Sequence, residues 1–320
     1  MSHEFNRRSA VAGILGGAAV SGLIPPASAT PPTKPSPAHQ GGRSPWPICL
    51  DTATIRPASL EEKVDIAARA GFDAIEPWEG ELRSYEADGG SLAELRRRIE
   101  DAGLFVPSVI GLWNAIPPTR EGWDAGLPAT RDRMRMASAI GAQQIQVIPQ
   151  PDRPWSEFDL GWASARYRDL LEIGIADYQL VPAMVFVEFL PGCARLGQAA
   201  AIALDADHPQ ARIIPDAFHM HIGDSGFSGL RKIQGDFIAI FQFNDAPESP
   251  AKSELKDEHR VFPGDGILPL EQCLRDLRDI GFERCISLEL YNPTYWKRDL
   301  LEVAREGREK TLRVIESALA

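Results

Sequence analysis

Basic residues are in short supply: 34 Lys and Arg stand against 45 Asp and Glu, a formal net charge of −11. Nucleic-acid binders carry a basic footprint, so that class is excluded. Cysteine and histidine are also few, four and six in 320 residues. Four dispersed cysteines (Cys49, Cys193, Cys273, Cys285) do not make a disulfide scaffold, and six histidines do not make a zinc-finger array. The four are expected to stay free thiols, with a Cys273–Cys285 bridge left open at this level. No glycine-rich nucleotide loop follows the first strand-like segment, and no Arg/Lys cluster marks a phosphate site. What remains is ordinary globular usage, 44% hydrophobic and 25% charged.

Proline is the exception, because eight of the 26 fall between Pro25 and Pro47. Asn6-Arg7-Arg8-Ser9 precedes an uncharged run from Ala10 to Ile24, then Pro25-Pro26-Ala27-Ser28-Ala29. A basic start, a short apolar run and a small-x-small ending make a secretory signal. The paired arginines and the Gly-rich, mildly apolar run favour the twin-arginine route. The run is shorter than the about 20 apolar residues of a membrane span, so no stable membrane insertion is expected. The expected organisation is a signal over 1–29, a Pro/Gly-rich tether over 30–45 and one domain over 46–320. The expected location is the periplasm.

From Trp46 onward, short apolar runs alternate with amphipathic ones. The strand candidates are 47–51, 72–77, 105–112, 144–149, 184–189, 213–217, 238–243 and 285–290. Ser59 with Glu62 forms a capping box for a helix that Gly71 ends. Residues 91–102 before Gly103, and 268–280 before Gly281, repeat the pattern. Eight βα units in about 275 residues predict a single-domain α/β fold, the (β/α)₈ TIM barrel.

Chemistry in that fold sits at the C-terminal ends of the strands. There the second half reads Glu188, Asp216, Gln242 and Glu289. Three converging carboxylates repel one another unless a cation joins them. Oxygen donors of this kind suit a hard divalent ion, Mn²⁺ or Mg²⁺, with all four residues as ligands. Asp216-x-x-His219 places an imidazole three residues from a ligand. Arg260-x-x-Pro263-Gly264-Asp265-Gly266 brings an always-charged guanidinium fork, which on the residues alone suits a surface pair with Asp257 or Glu258. Trp78, Trp113 and Trp155 fall just beyond strands two to four and suit the wall of a sugar pocket. Asp51 and Glu76 end strands one and two as possible polar contacts.

These residues resemble the xylose isomerase-like TIM-barrel superfamily, the sugar phosphate isomerase/epimerase family, most strongly from Val185 to Glu309. The resemblance implies one divalent ion held by Glu188, Asp216, Gln242 and Glu289. Gln242 stands where tagatose 3-epimerase-like members have His and hydroxypyruvate isomerases have Gln. It also implies Glu188 and Glu289 as the catalytic acid/base pair, and His219 and Arg260 as substrate contacts beside Trp113 and Trp78.

The reaction so implied is proton abstraction next to a carbonyl, through an enediolate, by an isomerase or epimerase. Loss of a β-hydroxyl from the same intermediate makes the alternative, a lyase or dehydratase of the 3-ketoglycoside, keto-inositol or dehydroshikimate type. A non-catalytic exported sugar-binding protein is the second alternative. Phosphorylated sugars are cytoplasmic, so the expected partner is an unphosphorylated keto-sugar or polyol. Helix faces of such barrels often pair, which leaves a homo-oligomer open.

Overall fold

The computed structural model describes residues 38–149 and 154–320. Eight parallel strands form the wall of a barrel: β1 (Ile48–Asp51), β2 (Ala74–Glu76), β3 (Val109–Trp113), β4 (Gln144–Ile148), β5 (Val181–Val185), β6 (Ile213–Ile214), β7 (Phe241–Phe243) and β8 (Ile286–Leu288). They pair as two four-stranded sheets, β2-β1-β8-β7 and β3-β4-β5-β6. Single bridges join the sheets, at Ala74–Phe105 and Trp78–Ile110 on one seam and at Ile213–Ile238 and Asp216–Gln242 on the other. The strands are buried on both faces, which is why they read as apolar runs without alternation.

Around them lie α1 (Leu60–Ala70), α2 (Glu79–Ala87), α3 (Leu92–Asp101), α4 (Arg120–Ala139), α5 (Leu160–Tyr178), α6 (Leu196–Asp205), α7 (Ala217–Ile222), α8 (Leu270–Asp279) and α9 (Leu300–Leu319). That is nine helices among the described residues where the pattern predicts eight, because α2 and α3 both lie between β2 and β3. The β6–β7 connection has only the six-residue α7, followed by two 3₁₀ turns at Ser228–Lys232 and Gly235–Phe237. Helix α1 begins as expected: Glu62 N donates to Ser59 Oγ at 3.3 Å, and Ser59 N donates to Glu62 Oε2 at 2.8 Å. It ends at Gly71, whose φ of 84° is the left-handed cap glycine adopts without strain. Helix α9 packs against both α8 and α1 and closes the ring.

Two expectations need correction. Strand five lies at Val181–Val185 instead of 184–189, and the chain leaves the sheet before Glu188. The apolar run continues because Phe186, Val187 and Leu190 are buried beneath a turn held by Val187 N to Cys193 O at 3.0 Å. The later part of the proposed tether, from Ala38, is docked on the barrel. Arg43 forks onto Glu309 at 2.8 Å and Glu316 at 2.6 Å of α9, and Gln40 Nε2 donates to Asp73 Oδ2 at 2.6 Å. Pro/Gly content hides this, since a few long polar side chains do the holding. The four cysteines are free, buried thiols, as their dispersed positions led us to expect, and the Cys273–Cys285 bridge left open by the sequence is not formed. The expected export signal over 1–29 lies outside the described residues. No described helix is long and apolar enough to cross a membrane.

Candidate active site

At the C-terminal ends of the strands a cavity of about 100 Å³ is lined by Trp78, Trp113, His219, Gln242, Glu289 and Tyr291, among others. A larger hollow of about 570 Å³ opens beside Asp207 and Phe237, on loops that precede β6 and β7. Barrel chemistry belongs to the opposite end, so the smaller cavity is the candidate site.

Asp216 follows β6 and caps α7: its Oδ1 accepts from His219 N at 2.8 Å. This cap explains the Asp-x-x-His spacing, because the N-cap acid and the third helical residue must meet. The other oxygen of Asp216 accepts from Asn244 Nδ2 and from Arg260 Nη1, each at 2.8 Å. Burial opposes the Asp216 charge, but Arg260 and His219 outweigh it and hold its pKa below the ordinary value. On β7, Gln242 Nε2 donates to Glu289 Oε1 at 3.1 Å. Glu289, just past β8, accepts from Tyr291 Oη at 2.7 Å and from Arg260 Nη1 at 2.8 Å. Burial first, and then the charges of Asp51, Asp216 and Glu76, push the Glu289 carboxyl well up against the pull of Arg260.

Arg260 is fully buried, so it is more than a surface partner of Asp257. Its Nη2 reaches Asp257 Oδ1 at 2.6 Å and His219 Nε2 at 2.9 Å. The loop that carries it is pinned by Asp245, whose carboxylate accepts from the amides of Ala246, Gly264, Gly266 and Leu268 at 2.9–3.1 Å. A Cβ on Gly266 would lie 2.2 Å from Ala246 O, so that close approach requires glycine.

Glu188 sits in the turn after β5 and does not line the cavity. Its Oε2 is 2.7 Å from Nδ1 of His219, which does. Trp78 and Trp113 stack at 5.9 Å as the aromatic wall, and Tyr291 meets Trp78 edge-on. Trp155 instead stacks on Phe158. Below the cavity, Glu76 accepts from Gln146 at 2.8 Å and Ser287 at 2.7 Å. Beside it, Asp51 keeps one buried oxygen without a partner.

The expected four-residue metal cage is therefore not gathered as such. Among the described residues no three His, Cys, Asp or Glu side chains are grouped to hold a metal ion. Asp216 and Glu289 converge, but on a guanidinium; Gln242 joins them and Glu188 stands apart at His219. The donor chemistry still suits a hard ion. Two buried carboxylates already enclose a cation, and Glu188 Oε2 and His219 Nδ1 are buried without a hydrogen-bond partner. Asn244, Tyr291 and Asp245 escaped the sequence reading. The first two lie two residues beyond Gln242 and Glu289, on the same face of extended backbone, and that spacing was the available signal.

The model of the xylose isomerase-like TIM barrel family matches residues 64–314. An inosose isomerase of Bacillus licheniformis is 34% identical over 135 residues, 41% of this chain and 48% of that protein, so this match spans about half of the relative. An inosose isomerase of Bacillus velezensis is 25% identical over 84% of this chain and 96% of its own length. A 3-dehydroshikimate dehydratase of Pseudomonas putida is 24% identical over 79% of this chain and 39% of its own. Among solved structures, the IOLI protein with a bound zinc atom superposes with a TM-score of 0.78 at 22% identity, over 85% of this chain and 98% of that one. Match and architecture agree: the chain belongs to the xylose isomerase-like TIM barrel family.

Proposed function

We propose that this protein is an isomerase or epimerase that moves a proton on a carbon next to a carbonyl in an unphosphorylated keto-sugar or keto-polyol, with an inosose as the first candidate. The observation that carries the reading is the bridge made by Arg260, with Nη2 2.9 Å from His219 and Nη1 2.8 Å from Glu289. Two groups able to carry a proton thus line one cavity, at either side of the Arg260 guanidinium. Glu289 faces the substrate directly, whereas Glu188 acts through His219, with its Oε2 2.7 Å from Nδ1 of the imidazole. Trp78 and Trp113 offer an apolar face to the C–H side of a ring, and Gln242 and Tyr291 offer polar contacts to its hydroxyls.

Glu188, Asp216, Gln242 and Glu289 are the residues that would hold a divalent ion, Mn²⁺ or Mg²⁺ by their oxygen chemistry, and the zinc atom of the IOLI protein supports a metal reading. Such an ion supplies polarisation of the carbonyl. The unphosphorylated substrate agrees with the cavity lining, which contains no Lys or Arg among the described residues, and with the export expected from residues 1–29. The dehydratase relative keeps water loss as the second reading.

The experiment is incubation of the purified protein with inososes, free keto-sugars and 3-ketoglycosides in D₂O, followed by NMR. Deuterium incorporation with retention of every hydroxyl is expected. An unsaturated product would replace the isomerase reading with a dehydratase, and binding without exchange would leave a sugar-binding protein.

A further inference from the structure

Arg260 occupies an unusual place for a substrate-binding residue. Its side chain has no exposed surface, and one atom, Nη1, lies 2.8 Å from Asp216 Oδ2 and 2.8 Å from Glu289 Oε2. The rings of Phe218 and Tyr291 lie 5.0 and 4.9 Å from its central carbon. Both acids are among the residues that would hold a divalent ion. Two cations do not share them, because like charges a few ångströms apart in a buried site repel strongly. The guanidinium has a second anchor. Asp257, which lines the cavity and is 34% exposed, already accepts from Nε at 3.0 Å and from Nη2 at 2.6 Å. A guanidinium that releases Asp216 and Glu289 therefore keeps a carboxylate partner on the solvent side.

We propose that Arg260 is an exchangeable internal counter-ion. It neutralises Asp216 and Glu289 when no divalent ion is bound, and it gives up those oxygens, withdrawing toward Asp257, when an ion enters. The inference rests on the divalent-ion reading above. It makes Arg260 a positioning residue that sets metal affinity in addition to any contact with substrate.

The test is Mn²⁺ titration by calorimetry of the chelator-stripped full chain, with melting curves with and without the ion. Arg260→Met should bind Mn²⁺ at least about tenfold more tightly than the unsubstituted protein, a difference of about 1.4 kcal/mol. Stripped Arg260→Met should also melt lower, and Mn²⁺ should raise its Tm by more than it raises that of the parent. Arg56→Met is the control. That guanidinium stacks on Trp78, Tyr291 and Trp296 without an acid contact, so its loss probes the general field alone. Its affinity should move by less than about twofold at physiological salt.

Equal affinity in Arg260→Met and the parent overturns the exchange, as does equal tightening in Arg56→Met. If Arg260→Met does not fold, Asp257→Asn takes its place. Affinity should then fall, because the withdrawing guanidinium has lost its anionic partner, and an unchanged value overturns the proposal. Absence of stoichiometric Mn²⁺ in every protein, Arg260→Met included, overturns the divalent-ion reading itself, and the exchange with it.

Discussion

Nδ1 of His219 lies 2.7 Å from Oε2 of Glu188, yet neither atom has a hydrogen-bond partner. The imidazole is also held from its other side, by Arg260. Glu188→Gln and His219→Asn should therefore each lower kcat by roughly 10²- to 10⁴-fold, the usual worth of a positioned acid or base. Melting temperature should change little for Glu188→Gln, since that side chain is in a turn and 26% exposed. Full turnover in Glu188→Gln would remove this residue from the reaction.

Trp113 and Trp78 test the pocket wall separately from the chemistry. Trp113→Ala removes one ring of the stacked pair and should raise KM by roughly two- to tenfold, with kcat nearly unchanged, as expected for a contact worth about 0.5–1.5 kcal/mol. A fall in kcat with constant KM would mean that the indole shapes the reacting groups instead.

Asp245 holds four backbone amides of the loop that presents Arg260. Asp245→Ala leaves those donors unpaired, with those of Ala246 and Leu268 in buried backbone, and should cost about 3 kcal/mol in urea unfolding. Asp245→Asn keeps one acceptor oxygen and should cost less. Equal losses would show that packing, not the amide cradle, is what this side chain contributes.

Asp51 yields a pH prediction. Burial, followed by the neighbouring Glu76, pushes its carboxyl well above the ordinary value. A carboxyl whose folded pKa exceeds its unfolded value, about 3.9, contributes stability below that unfolded value. The contribution is lost as pH rises toward the folded pKa. Asp51→Asn cannot ionise and escapes the loss. Its Tm advantage over the parent should therefore be small at pH 4 and grow toward pH 8. An advantage independent of pH would show that the carboxyl keeps its ordinary value in the folded state.

The barrel was largely legible because buried parallel strands leave an unmistakable mark: apolar runs such as Ile48–Leu50 separated by capped helices such as the one opened by Ser59. Boundaries were less so. The run from Met184 to Phe189 is apolar throughout, and hydrophobicity alone does not distinguish a strand from a turn whose side chains are equally buried. The site was legible as a set of residue types at strand ends, and Asp216, Gln242, Glu289, His219 and Arg260 do meet. Their partners were not. Whether Arg260 faces solvent or Asp216 depends on the path of the loop around Asp245, and four backbone amides decide that without any side-chain signature.

The two half-barrels are stitched at the β6–β7 seam by only the Ile213–Ile238 and Asp216–Gln242 bridges. Asp216, His219 and Glu188 belong to one side of that seam; Gln242, Arg260 and Glu289 belong to the other. The charged cluster proposed to act on substrate thus also spans a seam whose backbone is joined at two bridges alone, as the β2–β3 seam is. Substitutions that loosen the cluster should therefore also be felt as fraying between Ile213 and Phe243.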